Sequence, residues 1–212
     1  NIPFKPIYIN CKLKRVADTE YRLIAQICRE MGHDIPPTGL PTDEVYKIFV
    51  RIIEQEKLLL ILVLDEIDEI VKSTGDKILY NLTRLNSELK NSELSIVGIS
   101  NDLMFIDQVD PRVRSSLSEE ELVFPPYNAI QLQKIIKQRS DISFDENVVG
   151  EGVIEKCAAY AAKEHGDARR ALELFRVAGE LAERNNSEVI HVKFLDQAEE
   201  KIERDRVVDI VS

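Results

Sequence analysis

The sequence predicts an α/β domain built on a parallel sheet with flanking helices, followed by an all-helical subdomain. Three observations carry this. Apolar strand-like runs alternate with helix-period segments up to about residue 125, the pattern of a parallel sheet with right-handed crossovers. Beyond Pro125-Pro126 only helical periodicity remains, as in a small helical bundle. The chain has 212 residues, 44% hydrophobic and 31% charged, enough for one large or two modest soluble domains with a real core. The expected boundaries are 1–125 for the α/β part, 126–206 for the helical part, and 207–212 for the start of a linker.

Taken in order, Pro6-Ile7-Tyr8-Ile9-Asn10 reads as a short strand. A helix with Tyr21, Ile24, Cys28 and Met31 on one face follows, then a rigid turn from Ile35 to Pro41. A second helix carries Val45, Ile48, Phe49, Ile52 and Ile53, with Thr42 and Asp43 as its start signal. Leu58 to Leu64 is unbroken apolar sequence, which suits a strand covered on both faces. A helix with Ile78, Leu82, Leu85 and Leu89 leads to a third strand, Leu94–Ser100, and Glu121–Phe124 has the composition of a fourth. In the helical part, Asn128 caps a helix with Leu132, Ile135 and Ile136; a second carries Ile154, Cys157 and Ala161. Asp167 caps a third with Ala171, Leu174, Phe175 and Ala178, and a fourth runs through Phe194, Leu195, Ala198 and Ile202.

Composition narrows the function. The longest apolar run is far short of the ~20 residues that cross a bilayer, and nothing reads as a signal peptide; no membrane role is expected. Cys11, Cys28 and Cys157 are odd in number and scattered, which points to core thiols in a reducing, cytoplasmic setting rather than disulfides. His33, His165 and His191 have no spacing that pairs them with each other or with a cysteine as zinc ligands. A formal net charge of −10 argues against a general nucleic-acid surface, because phosphate affinity comes largely from clustered Lys and Arg. The chain begins at Asn1 and ends in a charged helical pattern without a stop signal, the expectation being an excerpt of something longer.

Four places hold residues that can carry chemistry. The second strand ends abruptly in Asp65-Glu66-Ile67-Asp68. Carboxyl ends of parallel strands are where open α/β sheets bind ligands; a carboxylate there can hold Mg²⁺ through water, and its neighbour can orient an attacking water. The alternative is two acidic residues favourably placed at the start of a helix. The third strand ends in Ser100-Asn101-Asp102, where an amide can polarise the same water or a phosphate oxygen, or simply form an Asx turn. In the helical part, Gly166-Asp167-Ala168-Arg169-Arg170 sets two arginines in a helix's first turn. The helix dipole disfavours cations there, so they suit a nearby anion, or else form a solvated surface pair. Asp110-Pro111-Arg112-Val113-Arg114 offers two more arginines, as surface charge or as donors to a phosphate on a neighbouring subunit.

Together these segments resemble the AAA+ ATPases. Leu64-Asp65-Glu66 resembles Walker B, Asn101 sensor 1, Gly166 to Arg169 sensor 2, and Asp110 to Leu117 the arginine-finger region. The stretches Gly98-Ile-Ser-Asn-Asp102, Asp110-Pro-Arg-Val-Arg-Ser-Ser-Leu117, Phe124-Pro-Pro-Tyr-Asn-Ala129 and His165-Gly-Asp-Ala-Arg-Arg-Ala-Leu172 are similar to archaeal initiators of the origin-recognition and cell-division-control family. The resemblance implies a partial P-loop-type AAA+ sheet with a helical lid. It also implies an ATP-regulated protein, using ATP/ADP and Mg²⁺, that binds double-stranded origin DNA and helps load the replicative helicase with other initiator subunits. Residue by residue, Asp65 would serve Mg²⁺ through water and Glu66 the attacking water. Asn101 would serve the γ-phosphate or that water, Arg169 the γ-phosphate from the lid, and Arg112 or Arg114 would act in trans. The segment from about Thr19 to Glu56 looks like the initiator-specific helical insertion.

The chain also departs from the family. Among its eight glycines there is no Gly-x-x-x-x-Gly-Lys-Ser/Thr sequence, so nothing in it cradles α- and β-phosphates. In the family the strand feeding that loop lies between the counterparts of Leu94–Ser100 and Glu121–Phe124, so a sheet without it would have a hole. Rival readings are a clamp-loader subunit or signalling ATPase of the same superfamily, and a non-catalytic interaction module that kept the fold. The expectation for these 212 residues alone is an inactive piece of an ATPase.

Overall fold

The structure, a computed structural model, describes residues 3–13, 19–36, 38–117 and 120–211, with side chains up to residue 205. It divides into two compact units, 1–121 and 122–212.

The first unit is a three-stranded parallel sheet of β1 (Phe4–Asn10), β2 (Leu59–Asp65) and β3 (Glu93–Ile99), in the spatial order β1-β2-β3. The register sets Asn10 beside Asp65 and Asp65 beside Ile99, so the strands end level at their carboxyl edge. Helices α1 (Glu20–Glu30) and α2 (Thr42–Glu56) connect β1 to β2. Then α3 (Ile67–Thr74), α4 (Lys77–Arg84) and a single 3₁₀ turn connect β2 to β3, and short α5 (Phe105–Gln108) and α6 (Pro111–Leu117) follow. Parallel strands need such crossovers. Between β2 and β3 the sequence suggested one helix at Ile78; α3 precedes it, too short to show a period.

Burial alternates along the strands. Ile7, Ile9, Leu60, Leu62, Leu64 and Leu94 face a core shared with Ile24 and Ile27 of α1, Phe49 and Ile53 of α2, Ile70 of α3 and Leu79 and Leu82 of α4. The opposite face stays open: Phe4 and Tyr8 are 66% and 60% exposed, Val97 and Ile99 each 45%. The expectation that β2 is covered on both faces is therefore corrected: Leu59, Ile61 and Val63 are only half-buried. The expected fourth strand is corrected too. Glu121–Phe124 carries no strand structure, and Leu122 and Phe124 are 75% and 83% exposed. A strand needs a neighbour to pair its backbone groups, and the described sheet ends at β3.

Helix α2 begins at Thr42 as expected, but Pro41 occupies the cap position and no side chain caps it. Thr19 caps α1 by accepting from Arg22 N at 3.3 Å. The rigid turn from Ile35 to Pro41 includes Pro37, which lies outside the described residues, as do Ser118 and Glu119 directly after the arginine-finger-like stretch.

The second unit consists of α7 (Ala129–Ser143), α8 (Val153–Glu164), α9 (Ala168–Arg184) and α10 (Val192–Val211). Its core is Leu132, Ile136, Cys157, Ala161, Ala171, Leu174, Phe175, Ala178, Phe194, Leu195 and Ala198. Asn128 forms a full capping box with Gln131 at the start of α7, and Asp167 accepts from Arg169 N at 2.8 Å at the start of α9. The backbone stays helical through Val211, across most of the stretch read as a linker.

Candidate functional site

Apolar pressure carries β2 to the sheet's carboxyl edge, where the chain turns polar at Asp65. Both Asp65 carboxylate oxygens are engaged: Oδ2 accepts from the Tyr8 hydroxyl and, at 3.3 Å, from Asn10 Nδ2, while Oδ1 accepts from Glu66 N at 3.1 Å. The hydrogen bond to Asp65, with some burial, pushes the Tyr8 phenol up. Tyr8 and Asn10 alternate along β1 on the same face as Asp65. Glu66 sits in the left-handed region, φ 53° and ψ 48°, sparsely populated for a residue with a Cβ; such strain clusters at functional sites. Its carboxylate pairs with Lys12 Nζ at 3.4 Å and remains a quarter exposed.

Asp68 is the residue whose part the sequence left unread. It is buried on the first turn of α3, and its Oδ1 accepts from Ser100 Oγ at 2.9 Å while Oδ2 accepts from Lys72 Nζ at 2.8 Å. Burial alone would raise its pKa, but the Lys72 ammonium and the Ser100 hydroxyl outweigh that and hold it below the usual carboxylate value. Gly98 makes the approach possible: a Cβ there would lie 2.9 Å from Ile67 Cδ1. The helix after β2 is thereby tied to the tip of β3. Ser100 Oγ in turn accepts from Asp102 N at 3.0 Å, and Asp102 Oδ1 from Met104 N at 3.0 Å. The Asx and hydroxyl turns leaving β3 belong to Asp102 and Ser100, and Asn101 between them is exposed. It lies two residues beyond Ile99, which is in register with Asp65, so it follows the strand tip that stands beside the end of β2.

Arg112 and Arg114 lie on α6 of the same unit. Arg112 forks onto Asp110, both contacts at 3.2 Å, with its side chain 88% exposed; the guanidinium holds the Asp110 carboxyl below the usual range. Arg114 pairs with Asp107 Oδ1 at 2.8 Å.

Arg169 is in the second unit, exposed on the first turn of α9. Gly166 sets that turn. Its φ is +64° and a Cβ would fall 2.5 Å from the Tyr127 carbonyl oxygen, while Tyr127 N donates to Gly166 O at 3.0 Å. Pro126-Tyr127 and the start of α9 are thus laced together. The expectation that Arg169 and Arg170 act as a pair is corrected: Arg170 is 6% exposed, and carboxylates account for it. Its Nε and Nη2 bond Glu164 at 2.9 and 3.3 Å, and Nη2 bonds Glu199 at 3.2 Å. Only Arg169 of the two faces solvent for an anion.

The donor set at the β2 tip fits Mg²⁺ in one way. Mg²⁺ keeps several waters and is held by one or two carboxylates plus substrate phosphates, and Asp65 would offer one carboxylate for a contact through water. Among the described residues the one close group of three potential ligands is Glu164, Glu199 and Glu203, in the other unit.

Residues 133–200 match the model of the Cdc6 AAA+ ATPase-type lid domain. The chain is 51% identical over 215 aligned residues to an ORC1-type DNA replication protein of Pyrococcus abyssi, covering 100% of this chain and 51% of that protein. It is 50% identical over 205 residues to ORC1-type DNA replication protein 1 of Methanosarcina mazei, covering 97% and 49%. Along its whole length the chain is similar to archaeal ORC1-type proteins, and in its helical part to the Cdc6 AAA+ lid. The solved structure of Aeropyrum pernix ORC1 in complex with DNA superposes with a TM-score of 0.84 at 45% identity, covering 99% of this chain and 53% of that one. The chain therefore spans about half the length of the ORC1-type proteins it matches. Among the described residues, no helix of this chain is long and apolar enough to cross a membrane.

Proposed function

We propose that this chain carries the hydrolysis and nucleotide-sensing residues of an ATP-regulated replication initiator. That initiator works in the cytoplasm, binds double-stranded origin DNA and helps load the replicative helicase together with other initiator subunits. The observation supporting the ATPase part is the construction of the sheet's carboxyl edge, where Asp68 joins the helix after β2 to Ser100, next to Asn101. Mg²⁺, when bound with ATP, neutralises phosphate charge. Asp65 would hold it through water. Glu66 orients the attacking water and accepts its proton, Asn101 holds the same water or the terminal phosphate oxygen, and Arg169 donates to that phosphate. Arg112 or Arg114 reaches a nucleotide on a neighbouring subunit; Arg112, 88% exposed, must exchange its bonds with Asp110 for phosphate oxygens. Helices α1 and α2 form the initiator-type insertion, its DNA contact being local because the chain as a whole is acidic.

The test uses the full-length protein. Glu66→Gln should retain ATP binding while hydrolysis falls by at least about 100-fold, the lower range for loss of a positioned base; unchanged turnover removes Glu66 from this role. These 212 residues alone, which contain no phosphate-binding loop motif, should show no thermal shift with Mg-ATP, and a clear stabilisation would contradict that.

A further inference from the structure

Arg170 is a buried cation held by carboxylates from three helices: Glu164 at the end of α8, Glu173 on α9 itself and Glu199 on α10. Buried ion pairs are weak devices for stability, because desolvation offsets most of the attraction. Here the arrangement also carries a cost: Arg170 Nη1 is buried without a hydrogen-bond partner, the nearest carboxylate oxygen of Glu173 lying 3.7 Å away. An apolar residue would pack the three helices at less expense. What it would not do is fix direction. The planar fork closes two bonds on Glu164, at 2.9 and 3.3 Å, and a third on Glu199 at 3.2 Å, a geometry that sets the rotation of α9 about its own axis as well as its position.

Arg169 is the preceding residue, about 100° around the same helical turn, and any rotation of α9 swings it by the same angle. The Asp167 cap and the Gly166 contact hold the backbone entering that turn, and Arg170 holds the same turn through its side chain. We propose that Arg170 is a positioning residue for Arg169, its clamp on Glu164 and Glu199 fixing the direction in which Arg169 presents its guanidinium to the nucleotide's terminal phosphate. This rests on the role given to Arg169 above.

The experiment measures kcat and KM for ATP in the full-length protein, well below its melting temperature, for Arg169→Ala, Arg170→Lys and the double variant. Arg170→Lys keeps the charge and loses the fork. It should raise the KM for ATP by about three- to tenfold, the effect of losing roughly one positioned hydrogen bond. In the Arg169→Ala background it should add no further loss, because its effect passes through Arg169. Glu199→Gln, a milder change, should move KM in the same direction and serves where Arg170→Lys folds poorly. Two results overturn the proposal alone: an Arg169→Ala effect with KM unchanged in both Arg170→Lys and Glu199→Gln, or losses that multiply in the double variant. An Arg169→Ala variant with unaltered kcat and KM overturns the role of Arg169 and the proposal together.

Discussion

Replacing Gly166 with alanine tests how the start of α9 is held. Two costs follow from the geometry. At φ +64° an L-residue costs about 1–2 kcal/mol. The added Cβ would also stand 2.5 Å from the Tyr127 carbonyl oxygen and 2.9 Å from Pro126 Cβ, and relieving such overpacking typically costs about 1–3 kcal/mol. The oxygen is backbone, and moving it strains the Tyr127 N to Gly166 O bond of 3.0 Å. The total is about 2–5 kcal/mol. Gly152 in the same unit is the control: its φ is +76°, but a Cβ would meet nothing nearer than Val192 Cγ2 at 3.7 Å, so Gly152→Ala should cost only the backbone share, about 1–2 kcal/mol. Native-state amide exchange over α7 to α9 reads the stability of this unit even when the two units open separately. Equal losses for the two variants, within about 0.5 kcal/mol, would refute the steric reasoning.

Asp68→Asn should destabilise the first unit by about 1–3 kcal/mol at neutral pH, the cost of disturbing a buried hydrogen-bonded charge. Because the folded carboxyl titrates below its unfolded value, its stabilisation is full above about pH 4 and is lost as pH falls through the folded pKa. The gap between wild type and variant should therefore close in acid; a gap that stays constant down to pH 3 in urea titrations would contradict this. Burial pushes the thiols of Cys11, Cys28 and Cys157 up to about 12, so none should react with iodoacetamide at pH 7.5 in the native protein and all three should in urea. Rapid native labelling would show that a core opens readily.

The sequence revealed much of this because apolar periodicity and abrupt polarity changes are local. Leu58 to Leu64 announced β2, and Asp65 and Asn101 lie at strand tips where the pattern placed them. One-sided burial of the sheet was illegible, since Leu59, Ile61 and Val63 on the open face are as apolar as Leu60, Leu62 and Leu64 on the closed one. Composition suggested a strand at Glu121–Phe124, but composition says nothing about whether a partner stands beside it. Arg169 and Arg170 look alike in sequence; what separates them is Glu199, 29 residues away. Tyr8 joined the site only through the register that sets Asn10 beside Asp65, for which a five-residue strand-like run contains no cue.

The free edge of β3 has a practical consequence for handling the protein. Beyond Glu93–Ile99 the described sheet has no further strand, so a row of main-chain donors and acceptors faces outward beside half-exposed Val97 and Ile99. Such an edge will accept any extended segment that arrives, foreign or of its own kind. A net charge of −10 keeps copies apart in dilute buffer through mutual repulsion, and salt weakens that protection within a Debye length of about 8 Å at physiological ionic strength. Concentrated, high-salt preparations of these 212 residues are therefore where sticking should begin, and raising salt, usually a remedy for association, should here promote it.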